Sequence, residues 1–475
     1  MEIPNSEMNI IDLIQDSNRN FIENELIQFL KIPSNTLNSE GIEKAKDYII
    51  SYIFDISEEI KVYEGEINPI ILAKIEGELK EQLLIYMMYD TQPISKDKEW
   101  ISNPFGADLK ILPAPLNKLG DCIIARGAYN SKTPLLCFLN IVKILKDNQC
   151  LPVSLILLFD GEEEKGSPSL LKFLENSTNR KIFSNCIDAY YPSTKQDING
   201  NLVLKLGYKG ILSITIIIST RNEEPHSAFS SMIPNPATDL VSLLNTIYSN
   251  NQFQIDSLKK QYRITDDEQS LIDFLMEEVD IESIKQKAGI KLAVEDDPYK
   301  AFLNYLFNPT FNISTLKSGY LKEGSKNFVP NHALCNIDIR FAHNVTIKEI
   351  FNEIKEKVDN FSHNTKAQIQ ITKNLGYESS RVQKDSLLVR SLKESAEVLG
   401  ISTEIWPLSA AAAPLSKIQK ELNLNFLTGG LGIGGFAHST NEFIQYDSII
   451  NTRLANYHFL KIYSDFLKEI NGLTK

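Results

Sequence analysis

Residues 155–169 read LILLFDGEEEKGSPS: five apolar residues, Leu155 to Phe159, run directly into Asp160, Glu162, Glu163 and Glu164. A short unbroken apolar run reads as a strand buried on both faces, which leaves the acids just past its carboxyl end. In open α/β sheets that edge is where ligands bind. Three adjacent glutamates repel one another unless water, a cation or a substrate offsets the charge, so the stretch is either a solvated loop or a site. If it is a site, like-charge proximity and partial burial raise a carboxyl pKa towards neutrality, as acid/base work requires.

Other residues able to do chemistry lie in short blocks elsewhere. An apolar stretch over 83–88 ends in Met88-Tyr89-Asp90, at the same expected sheet edge. Ala125-Arg126-Gly127-Ala128-Tyr129-Asn130-Ser131-Lys132 precedes a helical pattern that Thr133 and Pro134 are expected to cap. Asp188–Thr194, Gly207-Tyr208-Lys209-Gly210, Pro225-His226-Ser227, Asn327-Phe328-Val329-Pro330, Asp338-Ile339-Arg340 and Ala437-His438-Ser439-Thr440-Asn441-Glu442 follow in order. Five cysteines, without CxxC spacing, suggest neither a disulfide framework nor a thiolate metal site.

These blocks, in this order, resemble the carnosinase and aminoacylase family of two-zinc peptidases, most closely its dipeptidase branch; succinyl-diaminopimelate desuccinylase and acetylornithine deacetylase are relatives. The resemblance implies Glu163 as general acid/base and Glu164 and His438 as metal ligands. It also implies His226 as a donor to the scissile carbonyl from a partner subunit, with Asn327 and Arg340 on the substrate carboxylate. Arginine suits that task because its planar fork meets a carboxylate bidentately. Asp90 and Asn130 are expected to face the substrate. Met88, Asn130 and Thr194 stand where the family has a histidine and two aspartates, and Ala410-Ala411-Ala412-Ala413-Pro414 stands where it has G-G-S-x-P.

Neutral groups at three ligand positions lead to an expectation of no cofactor, or at most one weakly bound zinc on Glu164 and His438. Three functions stay open. One is a metal-independent or metal-poor enzyme working on an acyl or amide bond of a small amino-acid-like or peptide-like substrate, by acyl transfer, amide formation or cyclisation. The second is a single-zinc dipeptidase or aminoacylase-type hydrolase, and the third a non-catalytic dimeric pseudopeptidase that binds a small molecule or a protein.

The rest of the chain must position these residues. At 475 residues it is long enough for two cores. The expected fold is α/β: a catalytic-type domain from residues 1–210 and 376–475, with a mixed central sheet flanked by helices, and an inserted α+β split-βαβ lid and dimerisation domain at 211–375. Alternation at Leu212, Ile214, Ile216 and Ile218 marks a strand of the insert. Thr346 and Glu349 mark a capping box there. Asp385 is expected to cap the helix that returns to the first domain, and residues 256–310 resemble the extra segment of the dipeptidases. A formal charge of −12 with no clustered basic face argues against nucleic acid. The start MEIPNSEMNIIDLIQ has no signal-peptide pattern, and no apolar run reaches membrane-span length, so the expectation is a cytoplasmic protein; that it is a homodimer through the inserted domain is what the resemblance implies.

Overall fold

The computed structural model describes residues 5–95, 99–278, 281, 284–285 and 289–472. Two compact units emerge: Met1–Leu206 with Val382–Trp406 and Ile418–Lys475, and Gly207–Arg381 with Pro407–Lys417. The alanine segment 410–413, expected to stay with the first domain, therefore clusters with the second.

The first unit is built on a six-stranded sheet in the order Glu59–Tyr63, Ile70–Ile75, Val153–Asp160, Leu79–Met88, Cys186–Pro192 and Asn425–Gly429. Ile70–Ile75 pairs antiparallel with both neighbours, and the other contacts beyond it are parallel, giving a mixed sheet. All eight residues of Val153–Asp160 are buried, as a strand covered on both faces requires. Met88 is in register with Asp160, so both strands deliver their last residues to one edge.

Helices Lys132–Asp147, Leu387–Glu397 and Ile449–Ile470 pack around this unit. The expected cap at Thr133 is not used: the helix begins two residues earlier, at Lys132 after Ser131, and Thr133 Oγ1 is buried without a partner among the described residues. Ser386 rather than Asp385 caps Leu387–Glu397, its hydroxyl accepting from the Val389 N–H, because the backbone turns into the helix one residue later. Arg453, fully buried on the last helix, donates to Ile14 O, Asn18 Oδ1, Ser17 Oγ and Asn140 Oδ1. One guanidinium thus ties the start of the chain to its end, with every bond made to a neutral acceptor.

The second unit carries a four-stranded antiparallel sheet in the order Thr310–Ser318, His332–Phe341, Gly210–Ser219, Gln368–Tyr377. Helices Pro236–Ile247 and Ile347–Ser362 cover one face, and Leu212, Ile214, Ile216 and Ile218 enter their shared core. The Thr346–Glu349 capping box is present. Helices Asp256–Lys259, Asp266–Glu278 and Pro298–Phe307 fill the 256–310 segment, of which residues 279–280, 282–283 and 286–288 lie outside the described residues. The expected mixed α/β sheet and α+β insertion are both realised. No helix among the described residues is long and apolar enough to cross a membrane.

Candidate active site

The acidic loop leaves the Val153–Asp160 strand through Gly161, where a Cβ would come within 2.5 Å of Tyr89 Oη. Its four carboxylates then take separate tasks. Asp160 accepts from the Glu162 N–H and from Tyr86 Oη, and Glu162 is spent on structure, accepting from the amides of Ile67, Asn68 and Ser169 and from Ser169 Oγ. Glu163 and Glu164 are left for chemistry.

Both are aimed by Asp90. Its Oδ1 accepts the Glu163 N–H at 3.1 Å and its Oδ2 the Glu164 N–H at 3.2 Å, while Thr36 Oγ1 donates to Oδ2 at 2.8 Å. Burial, and then Asp160 nearby, raise the Asp90 pKa well above the carboxylate range. Glu163 is raised well above its ordinary value too, by burial first and then by Glu164 and Asp90. A carboxyl so placed holds a proton closer to neutral pH than a free one.

Glu164 is 3% exposed and is met from three sides. Gln92 Nε2 donates to Oε2 at 2.7 Å, and Asn130 Nδ2 to Oε1 at 3.0 Å. His438 Nε2 lies 3.2 Å from Oε1, a contact that raises the imidazole pKa. Asn130 Nδ2 also stands 3.1 Å from His438 Nε2, so amide, carboxylate and imidazole meet in one triangle of contacts. His438 has φ of +62°, a left-handed conformation that costs a non-glycine residue about 1–3 kcal/mol and tends to persist where function demands it.

Glu442, four residues on, holds the Asn130 loop. Its Oε1 accepts the amides of Tyr129 and Asn130 at 3.0 and 2.8 Å, and its Oε2 pairs with Arg126 at 2.6 Å, the two side chains 1% and 3% exposed. In the sequence Glu442 stands at the end of a motif with no role attached to it. Gln92 is another residue of this kind, and nothing local marks either as facing the site.

The expected ligand positions are distributed as follows. Met88 is buried at its strand end and offers a thioether. Thr194 is buried and donates to Tyr129 O at 3.3 Å, so it does reach the Asn130 loop. Among the described residues no group of three or more His, Cys, Asp or Glu is arranged to hold a metal ion. Glu164 and His438 are two such donors. Half a turn of the Asn130 amide about its Cβ–Cγ bond would bring to them, as a third and neutral donor, the oxygen that now accepts from Ser131 Oγ at 3.0 Å.

In the second unit, His226 Nδ1 accepts the Ala228 N–H, and His226 bridges Phe328 beside Asn327, whose carbonyl accepts the Ser227 N–H. Arg340 lies opposite Ile211, whereas His332 lies opposite Ser219. His332 and Arg340 stand at opposite ends of their strand, roughly 26 Å apart at about 3.3 Å per residue, and His226 and Asn327 lie on the chain beyond the Ser219–His332 end.

Residues 84–461 match the profile of peptidase family M20/M25/M40. The chain belongs to that family of peptidase-type hydrolases. It is 24% identical over 396 residues to the Cys-Gly metallodipeptidase of Schizosaccharomyces pombe, a match covering 80% of each chain. The crystal structure of an M20 family metallo-carboxypeptidase from Sulfolobus solfataricus superposes with a TM-score of 0.79 at 27% identity, over 93% of this chain and 98% of that one. Human carnosine dipeptidase 1 gives 0.73 at 18%, over 97% and 100%.

Two of these relatives carry metal in their names, and that corrects the expectation of no cofactor or at most one weakly bound zinc. The metal-independent acyl-transfer reading falls with it. The expectation gave little weight to the neutral amide of Asn130, yet its oxygen is also a donor and the loop that presents it is held by Glu442.

Proposed function

We propose that the chain is a metal-dependent hydrolase of dipeptide-like substrates. Its relatives' names point to that class. The observation that carries the reading is the double hold of Asp90 on the Glu163 and Glu164 amides, which sets a raised-pKa carboxyl beside a carboxylate–imidazole pair.

Glu164, His438 and the Asn130 oxygen would hold the ion, which when bound acidifies water and polarises a carbonyl. Glu163 takes the proton of the attacking water as the C–O bond forms and returns it to the amine nitrogen as the C–N bond breaks, a role matched to a pKa raised towards neutrality. Asp90 keeps Glu163 in place through the backbone and does not itself touch the substrate; this replaces the expected substrate contact. Glu442 fixes the backbone from which Asn130 reaches the site.

Following the family resemblance, Arg340 holds a substrate carboxylate, and His226 with Asn327 come from the inserted unit of a second copy. Arg340 stands at the Ile211 end of its strand pair, whereas His226 and Asn327 lie on the chain beyond the Ser219–His332 end, which supports that division. The inserted unit would then act as lid and dimer interface.

The test is release of free amine from a panel of dipeptides by zinc-loaded protein, with light scattering alongside. Turnover lost in Glu163→Gln and a dimer mass are expected. A panel without a single cleaved member, or a strict monomer that still cleaves, would overturn the hydrolase and the shared-site parts respectively.

A further inference from the structure

Two lysines beside this site have no part in the reaction described above. Gln196 and Leu202 form an antiparallel bridge, and the Val203 N–H donates to Lys195 O at 2.8 Å. Residues facing each other across such a ladder point to one side, and so does the residue two further on. Lys195, Val203 and Lys205 therefore share a face, with Lys205 diagonal to Lys195. Leu202 and Leu204 turn to the other side and are buried.

The parallel register places Lys205 against Trp406, and its ammonium lies 5.6 Å from the ring centroid. Trp406 Nε1 donates to Glu404, which turns the indole. Lys195 continues the strand end that carries Thr194, and its N–H donates to Gly430 O at 2.9 Å. Among the described residues, neither ammonium donates a hydrogen bond or closes an ion pair. Glu163 is the acid within electrostatic reach of Lys195, and Glu404 that of Lys205.

Two half-buried cations on one face repel each other, and burial adds to the cost of charging them. Burial, then Lys205, lower the Lys195 pKa to about 8, so the ammonium still keeps its proton at neutral pH. A chain that keeps both lysines there, without a carboxylate closed onto either, has a place for an anion from outside. The flat indole offers a surface for the methylenes that would carry such an anion.

We propose that Lys195 and Lys205, with the ring of Trp406, form a subsite beside Glu163 that takes the acidic side chain of a dipeptide-like substrate. This rests on the hydrolase reading and narrows it to substrates with a carboxylate beyond the terminal one. Charge-assisted bonds from two ammonium groups are stronger than neutral ones, and they discriminate glutamate from glutamine at nearly equal size.

Calorimetry with the uncleavable reduced-bond (CH2–NH) analogues of Ala-Glu and Ala-Gln tests the subsite without any need for turnover. The wild-type protein should bind the Ala-Glu analogue at least about tenfold more tightly, a difference of about 1.4 kcal/mol. The preference should shrink to less than about threefold in Lys195→Met and in Lys205→Met, and survive in Lys195→Arg, which keeps the charge. If Lys195→Met does not fold, Lys205→Gln decides alone. Equal binding of the two analogues by wild type, or a preference unchanged in the double methionine variant, overturns the proposal. So does lysine-dependent binding of inorganic phosphate without any preference for the Ala-Glu analogue. Cleavage of ordinary Ala-Gln is scored separately: a glutamate preference without cleavage leaves the subsite standing and removes the hydrolase reading.

Discussion

Asp90 Oδ1 accepts the backbone N–H of Glu163 at 3.1 Å, so the expected base is held by a second carboxylate through the main chain. The contact leaves the Glu163 side chain available while fixing where it starts. It also adds negative charge beside Glu163, which raises its pKa further.

Glu163→Gln should lower kcat by at least about a hundredfold, the ordinary worth of a positioned general base. The same change should not destabilise the fold. A carboxyl whose folded pKa is raised above its unfolded value stabilises less as pH rises through that window, so removing it takes away a cost near neutral pH. Steady-state rates and thermal melts at pH 5 and pH 8 check both halves; a variant at wild-type rate would exclude Glu163 as the base.

Asn130→Asp should strengthen zinc binding by at least about tenfold, because a carboxylate replaces an amide that touches both Glu164 and His438. In either form zinc affinity should rise with pH, since the ion needs a neutral imidazole and Glu164 raises the His438 pKa. Competition with a chromogenic chelator across pH 6–8 measures this without reference to turnover. Affinity unchanged in the variant would place the metal elsewhere.

Much of this site is legible in the sequence. The apolar run from Leu155 to Phe159 and the acids after it announce a buried strand and its functional edge, because burial on both faces leaves an unmistakable composition. His438 and Glu164 can be paired only through resemblance, since they lie far apart in the chain and neither has a local pattern. Glu442 is less visible still: its value is a contact with backbone amides 312 and 313 residues away, and sequence alone carries no sign of such a bond. The cap of Lys132–Asp147 fails for a related reason, as Thr133 is pulled into the buried helix with Pro134 instead of standing at its mouth. Lys195 and Lys205 share a face only once the 196–202 bridge forms.

Glu442→Gln should destabilise the protein by about 3–5 kcal/mol, the usual cost of leaving one half of a buried ion pair behind, here Arg126. The Asn130 loop should loosen with it. Urea unfolding gives the first quantity and amide exchange at Tyr129 and Asn130 the second; full retention of stability would mean the pair contributes only through its backbone bonds.

Asp188 offers a pH test far from the metal donors. It is buried among Asn425 and Tyr463, both of which donate to it, yet burial dominates and raises its pKa from 3.8 to about 6. With the folded value above the unfolded one, its contribution is fully present below about pH 4 and is lost as pH rises through 6. Asp188→Asn should therefore flatten the fall of stability between pH 4 and 6 by at most about 3 kcal/mol, since each tenfold gain in proton affinity on folding is worth about 1.4 kcal/mol. Denaturation curves at half-unit steps of pH will show whether it does.

The sixth strand of the first sheet, Asn425–Gly429, is encoded after the whole of the second unit. A ribosome making this protein must therefore release the main strands of the insert before the sheet that precedes them can close. Until then the Cys186–Pro192 strand has a bare edge, and Arg453 has not yet been made to clasp the first helix. Synthesis that stops early would leave a sticky half-sheet rather than a smaller working protein, so quality control has a plain mark by which to tell unfinished chains from finished ones.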